Sequence, residues 1–186
     1  MRNHNLPKHL SNALKPQGLY DPRFEHDACG VGMVCHMKGK KSHQIIADGL
    51  QILVNLSHRG ACGCDETTGD GAGILMQMPH AFLKKVGAEA SITLPAEQEY
   101  ASGLVFLPSD PEQQKICMDR FEAVVGEEEQ QFLGWRKVPV VSEALGDLAR
   151  QLEPTIYQIF IGRDPGVDDP AHFERKLFVI RKVMEK

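Results

Sequence analysis

Cys29 is the residue of this chain best placed to do chemistry. It sits in His26-Asp27-Ala28-Cys29-Gly30-Val31-Gly32, where a polar leader gives way to an apolar run. A cysteine at the head of a strand, flanked by glycines and preceded by a removable segment, can become the first residue of a mature enzyme. Its thiol then serves as nucleophile and its own α-amino group as base, with no separate His or Asp required. A free thiol titrates near ~8.5 and an α-amino group near ~7.7–8, so a proton can pass between them close to neutral pH. Glycines at 30 and 32 let backbone or substrate approach closely. The competing reading is a small buried hydrophobe opening a core strand.

The second chemical stretch is the polar, glycine-rich loop 57–71 with its flank: Ser57-His58-Arg59-Gly60-Ala61, then Thr67-Thr68-Gly69-Asp70-Gly71-Ala72-Gly73. Its glycines make backbone amides available, and Arg59 offers a planar fork for a carboxylate. Such a loop can border a pocket for a small anionic or zwitterionic substrate; the alternative is a turn with a surface arginine. Gly69-Asp70-Gly71-Ala72-Gly73 lacks the Lys-Ser/Thr of a phosphate loop and the spacing of a dinucleotide fingerprint. His58, Cys62 and Cys64 supply three zinc ligands at most and no second cysteine pair, so no metal site is assigned.

These residues must be positioned by the elements around them. Residues 30–37 and 72–78 read as strands. The spacing of Ile46, Leu50, Leu53 and Val54 predicts a helix over 42–56, with Ser42 as its cap. Pro79 opens a short helix to about Lys85, and 103–107 reads as a strand. Asp110-Pro111-Glu112 starts a helix whose face is Cys117, Phe121, Val124 and Val125, with Gly126 as its end. A strand over 132–141, interrupted by Pro139, precedes a helix capped by Ser142 and stopped at Pro154. Residues 155–161 form a strand, and Pro170 opens a last helix with Phe173, Leu177, Ile180 and Met184 on one face. Interspersed strands and helices make the class α+β, or layered α/β.

Composition limits the partners. With 186 residues, 42% of them hydrophobic, the chain can build a core, and a net charge of −4 with scattered basic residues gives no nucleic-acid footprint. No apolar run approaches the ~20 residues of a membrane span. The leader, broken by Lys8, Lys15, Pro16, Asp21, Pro22 and Arg23, has no apolar region of a secretory signal, which points to the cytoplasm, or to a plastid for a plant source. Five cysteines, an odd number, argue for free thiols over a disulfide framework.

Three motifs in order carry a family resemblance: Tyr20-Asp21 leading to the Cys29 segment; Leu56-Ser57-His58-Arg59-Gly60-Ala61; and Thr68-Gly69-Asp70-Gly71-Ala72-Gly73-Ile74-Leu75 followed by Pro79-His80. Phe106-Leu107-Pro108, Gly134-Trp135-Arg136-Lys137-Val138-Pro139 and Val179-Ile180-Arg181-Lys182 fit the same pattern. The chain resembles the N-terminal region of the large subunit of glutamate synthases, a class II glutamine amidotransferase of the N-terminal-nucleophile type. The resemblance implies that residues 1–28 are a propeptide and that residues 29–186 begin an αββα sandwich. It also implies that Cys29 attacks the side-chain amide of L-glutamine, releasing ammonia for reductive amination of 2-oxoglutarate. Arg59 and Gly60 would shape the pocket, and Asp70 and Gly71 would form a supporting loop. FMN and an iron–sulfur cluster would lie in the remainder of the synthase chain, with an electron-donating small subunit as a further candidate partner; this part would carry no cofactor.

The chain departs from the family in three respects. The family's Asn-Gly oxyanion pair is missing, Asn55 being the only asparagine after Cys29, and so are its Arg-Phe-Ser-Thr segment and the Asp that holds glutamine's amine. All are expected beyond Lys186, so the sandwich is expected to be incomplete here and these 186 residues alone to hydrolyse glutamine poorly. The alternative is a stand-alone, non-catalytic binding or regulatory module of the same fold. A third reading, a metal or redox protein built on residues 35, 62 and 64, is the weakest of the three.

Overall fold

The computed structural model describes Gly18, residues 30–57 and residues 71–185, which divide into two compact units. Among these residues, the first unit holds 30–57 and 71–74, and the second holds 75–185.

The described residues of the first unit are organised around the helix α1 (His43–Asn55). Ser42 caps it as expected: its backbone is extended, and its Oγ accepts from the Gln44 N–H at 3.2 Å. Of the face expected from spacing, Ile46 and Leu53 are part-buried and Leu50 and Val54 are exposed; the part-buried stripe also takes in Ile45, Gly49, Ile52 and Leu56. The stripe is a regular i, i+4, i+7 series once Gly49 is counted as apolar. Residues 30–36 precede α1 and turn at His36, whose carbonyl accepts from the Gly39 N–H at 2.8 Å. The expected strands 30–37 and 72–78 are not strands here. A strand exists only where a neighbouring backbone completes its hydrogen bonds, and among the described residues neither segment has such a ladder. Val31, Met33 and Met37 are correspondingly bare, at 93%, 88% and 99% exposure.

The second unit mixes helices with a three-stranded antiparallel sheet. The strands are β1 (Tyr100–Leu107), β2 (Gln131–Lys137) and β3 (Thr155–Gly162), in the order β1-β3-β2. β3 is central because its Ile-Tyr-Gln-Ile-Phe-Ile run suits burial on both faces. Ile159 and Ile161 face one core with Val124, Val125, Phe173 and Ile180, while Phe160 faces a second with Leu83, Ile92, Leu94 and Tyr100. Phe160 is fully buried, a contribution of roughly 1.5–3 kcal/mol.

Four helices belong to this unit: α2 (His80–Glu89), α3 (Pro111–Glu127), α4 (Asp147–Gln151) and α5 (Pro170–Met184). Asp110 and Asp169 cap α3 and α5, accepting from Gln113 N at 2.9 Å and Ala171 N at 3.0 Å. Phe173 and Ile180 of α5 are buried, with Leu177 and Met184 against the same core, as the spacing predicts. Gly126 does not terminate α3. The reversal falls at Glu129 (φ 58°), with Glu129 N–H bonded to Gly126 O and Gln130 N–H to Val125 O, so Gly126 lies within the last turn. The single helix expected from Ser142 to Pro154 is a 3₁₀ turn, Ser142–Ala144, followed by α4, because Gly146 interrupts it. Ser142 does not cap; its hydroxyl donates to Glu153 Oε1 at 2.9 Å. β2 stops at Lys137, two residues short of Pro139, which has no N–H for the ladder.

The described residues thus show a mixed α and β chain with one small antiparallel sheet. No helix among them is long and apolar enough to cross a membrane.

Candidate active site

Of the residues picked out by sequence, Cys29, Arg59, Gly60 and Asp70 lie outside the described residues, as do His58, Cys62 and Cys64. Gly71 is described. It has φ +94°, a conformation that L side chains rarely adopt, and no neighbour stands within 4 Å of where a Cβ would be. Its requirement for glycine is therefore conformational rather than steric.

What the first unit does show is how the flanks of the three motifs are gathered on α1. Gly30, the residue after Cys29, packs against Leu56: a Cβ at 30 would lie 3.1 and 3.2 Å from the two Leu56 Cδ atoms. Gly32 lies directly on Ile52, whose Cγ2 occupies the space a Cβ would need. Gly49 meets Ile74, whose Cδ1 would stand 2.9 Å from a Cβ there. Leu56 opens the Leu-Ser-His-Arg-Gly-Ala motif three residues before Arg59, and Ile74 follows Gly71 by three. One helix therefore receives the described flank of each motif, on the stripe 49–52–56. Ile52, Gly49 and Ile74 are absent from a reading based on reactive side chains. The signal for them was the i, i+3, i+7 series Gly49, Ile52, Leu56, disguised because its first member is a glycine.

The His36 Nδ1 accepts from the backbone N–H groups of Lys38 and Lys40 at 3.2 and 3.4 Å, which ties the turn leading into α1. Cys35 is an exposed free thiol in this segment. Among the described residues, no three His, Cys, Asp or Glu side chains converge closely enough to hold a metal ion.

The second unit has its own polar anchors. His80 Nδ1 is hydrogen-bonded to the Tyr100 hydroxyl at 3.0 Å, joining the start of α2 to β1. Tyr100 is 2% exposed, and burial, reinforced by the nearby Glu97 carboxylate, holds its hydroxyl above the usual tyrosine range. Arg163, beyond β3, grips Glu99 through Nε to Oε2 at 3.0 Å and Nη2 to Oε1 at 2.6 Å. Its Nη1 donates to the carbonyls of Val167 and Asp168. In the Gly134-Trp135-Arg136-Lys137 motif, Gly134 follows a bulge in β2 and has φ +148°. Trp135 donates to Glu122 Oε1 at 3.0 Å and stacks edge-on with Phe121.

A family model described as glutamine amidotransferases class-II matches residues 29–186, so the match begins at Cys29. The chain belongs to the class-II glutamine amidotransferases. Within that family it is similar to three curated proteins in particular. It is 45% identical over 171 residues to the large chain of NADPH glutamate synthase of Bacillus subtilis, covering 92% of this chain and 11% of that one. To NADH glutamate synthase of Schizosaccharomyces pombe it is 41% identical over 173 residues, 90% of this chain and 8% of the relative. To that of Saccharomyces cerevisiae it is 39% identical over 190 residues, 96% of this chain and 9% of the relative. This amidotransferase chain thus spans about a tenth of the length of these relatives.

Proposed function

We propose that this amidotransferase chain is the glutaminase part of a glutamate synthase, with Cys29 as its N-terminal nucleophile. Once residues 1–28 are removed, the freed α-amino group takes the thiol proton. The thiolate attacks the side-chain carbonyl of L-glutamine, the tetrahedral intermediate collapses, and ammonia leaves with the transferred proton. Water then attacks the γ-glutamyl thioester, releasing glutamate and regenerating the thiol. Arg59 and Gly60 shape the glutamine pocket, and Asp70 and Gly71 belong to a supporting loop. Residues 29–186 would then be the first part of an αββα sandwich completed by later strands.

The observation that carries this reading is the gathering of the three motifs' described flanks on α1. A family match that starts at Cys29 adds support for a boundary there. The relatives are named glutamate synthases and are far longer, which supports a synthase site elsewhere in a longer polypeptide; in our reading the ammonia passes to that site, where 2-oxoglutarate is aminated and reduced. In that reading FMN, an iron–sulfur cluster and an electron-donating small subunit belong to the remainder of the synthase. The setting would be the cytoplasm, or a plastid in a plant.

The test is the intact mass and N-terminal sequence of the protein from its native cells. A mature chain that begins at Cys29 and far exceeds 20.7 kDa is expected. A chain that keeps Met1 would leave the thiol without its amine and would overturn the mechanism.

A further inference from the structure

We propose that an acidic, apolar groove in the second unit is the docking site for a segment of the synthase polypeptide outside residues 1–186, one that carries an apolar side chain beside a Lys or Arg. The inference rests on the reading of this chain as part of a glutamate synthase. The groove runs between the end of β1, the start of α3 and the end of α4, and has a volume of about 420 Å³. Phe106, Pro108, Leu152 and Pro154 give it an apolar lining. Phe106 and Leu152 stand 64% and 77% exposed there. Exposed apolar side chains are ordinary singly, but several converging within a polar rim mark an interaction surface.

The walls of the groove are held by contacts within the unit. Gln114 Nε2 donates to the Pro108 carbonyl at 3.2 Å, tying the exit of β1 to α3. Phe106 is paired in register with Ile156, two residues beyond Pro154. The charge of the lining has one sign: Asp110 and Glu153 contribute carboxylates, and no Lys, Arg or His lines the groove. The partners of these carboxylates are neutral, the Gln113 N–H for Asp110 and the Ser142 hydroxyl for Glu153. Such a surface selects an apolar side chain flanked by a cation and disfavours an acidic partner. A small-molecule site encloses most of its ligand, whereas side chains exposed by more than half suit a segment lying across the surface. The glutamate synthases similar to this chain are about ten times its length. A segment tethered in the same polypeptide meets the groove at high effective concentration, so modest contacts suffice to hold it.

The experiment places a photoactivatable benzophenone side chain at the exposed Gln151, on the wall of the groove, in the intact polypeptide expressed in its native cells. Mixing isotopically labelled and unlabelled copies separates links within one polypeptide from links between two. The expected product joins position 151 to a peptide of the same polypeptide, outside residues 1–186, in which an apolar residue adjoins Lys or Arg. Adding Leu152→Lys should abolish that product, since it places a cation against the cationic partner; Leu152→Asp should keep part of it. Leu152 is largely exposed, so both variants should fold. A link to residues 1–186 of either copy, no link at all, or a link kept by Leu152→Lys and lost in Leu152→Asp would overturn the proposal while leaving the synthase reading in place. A native polypeptide that ends at Lys186 would instead overturn the synthase reading itself.

Discussion

Gly134 provides a test of how the second unit is held together. Two separate features exclude a side chain there. The first is the backbone: at φ +148° an alanine is strained, at a cost of about 1–3 kcal/mol. The second is space: a Cβ would stand 2.9 Å from both Cδ1 and Cγ1 of Ile92, itself buried between Leu83, Leu94 and Phe160. Overpacking of this kind costs about 1–3 kcal/mol. Gly134→Ala should therefore destabilise the unit by about 2–6 kcal/mol. Urea unfolding followed by far-UV circular dichroism and by the fluorescence of Trp135, the single tryptophan, measures it. Ile92→Val separates the two features, since it removes Cδ1 and relieves part of the overlap without touching the backbone. By itself it should cost about 0.5–1.5 kcal/mol; combined with Gly134→Ala it should cost less than the sum, by about 1 kcal/mol. A loss under 1 kcal/mol in Gly134→Ala would refute the reasoning. Strict additivity would assign the whole penalty to φ and refute the packing half.

Two further predictions concern the anchors of the same unit. Arg163→Met should cost about 2–3 kcal/mol, because it removes a bidentate pair and orphans two loop carbonyls. Glu99→Gln should cost only about 1 kcal/mol, since the Glu99 side chain is 42% exposed and its pairing is screened by water; equal losses in urea melts would place the stabilisation in the ion pair rather than in the carbonyls. Tyr100 titrates above its ordinary range in the folded chain, so its hydroxyl keeps its proton where the unfolded chain has lost it. Its contribution is fully present below the unfolded pKa, near ~10, and is lost as pH rises through the higher folded value. Tyr100→Phe should accordingly be less stable by about 1 kcal/mol at pH 7, through loss of the His80 bond, and the difference should shrink above pH 10. A constant difference from pH 7 to 11 would contradict the buried hydroxyl.

The sequence by itself determined what can be read from neighbours along the chain. Ser42 and Asp110 cap helices because a short polar side chain there reaches a backbone N–H two or three residues on, whereas Ser142, read in the same way, bonds Glu153 instead. The Phe173–Leu177–Ile180–Met184 stripe and the apolar run of β3 are local periodicities, and both bury as their spacing requires. The three motifs that carry the family are likewise local strings, and the match over 29–186 agrees with them. What tertiary structure decided depends on partners distant in sequence. Whether 30–37 and 72–78 become strands depends on a neighbouring backbone, which their own residues cannot supply. The reversal after α3 falls at Glu129 rather than Gly126 because Gln130 is buried there and its side chain binds the carbonyls of Glu128 and Glu129, so the chain reverses at a non-glycine residue. The role of Gly32 and Gly134 is visible only once Ile52 and Ile92 stand over them: a glycine in sequence permits close approach, but only the fold specifies what approaches.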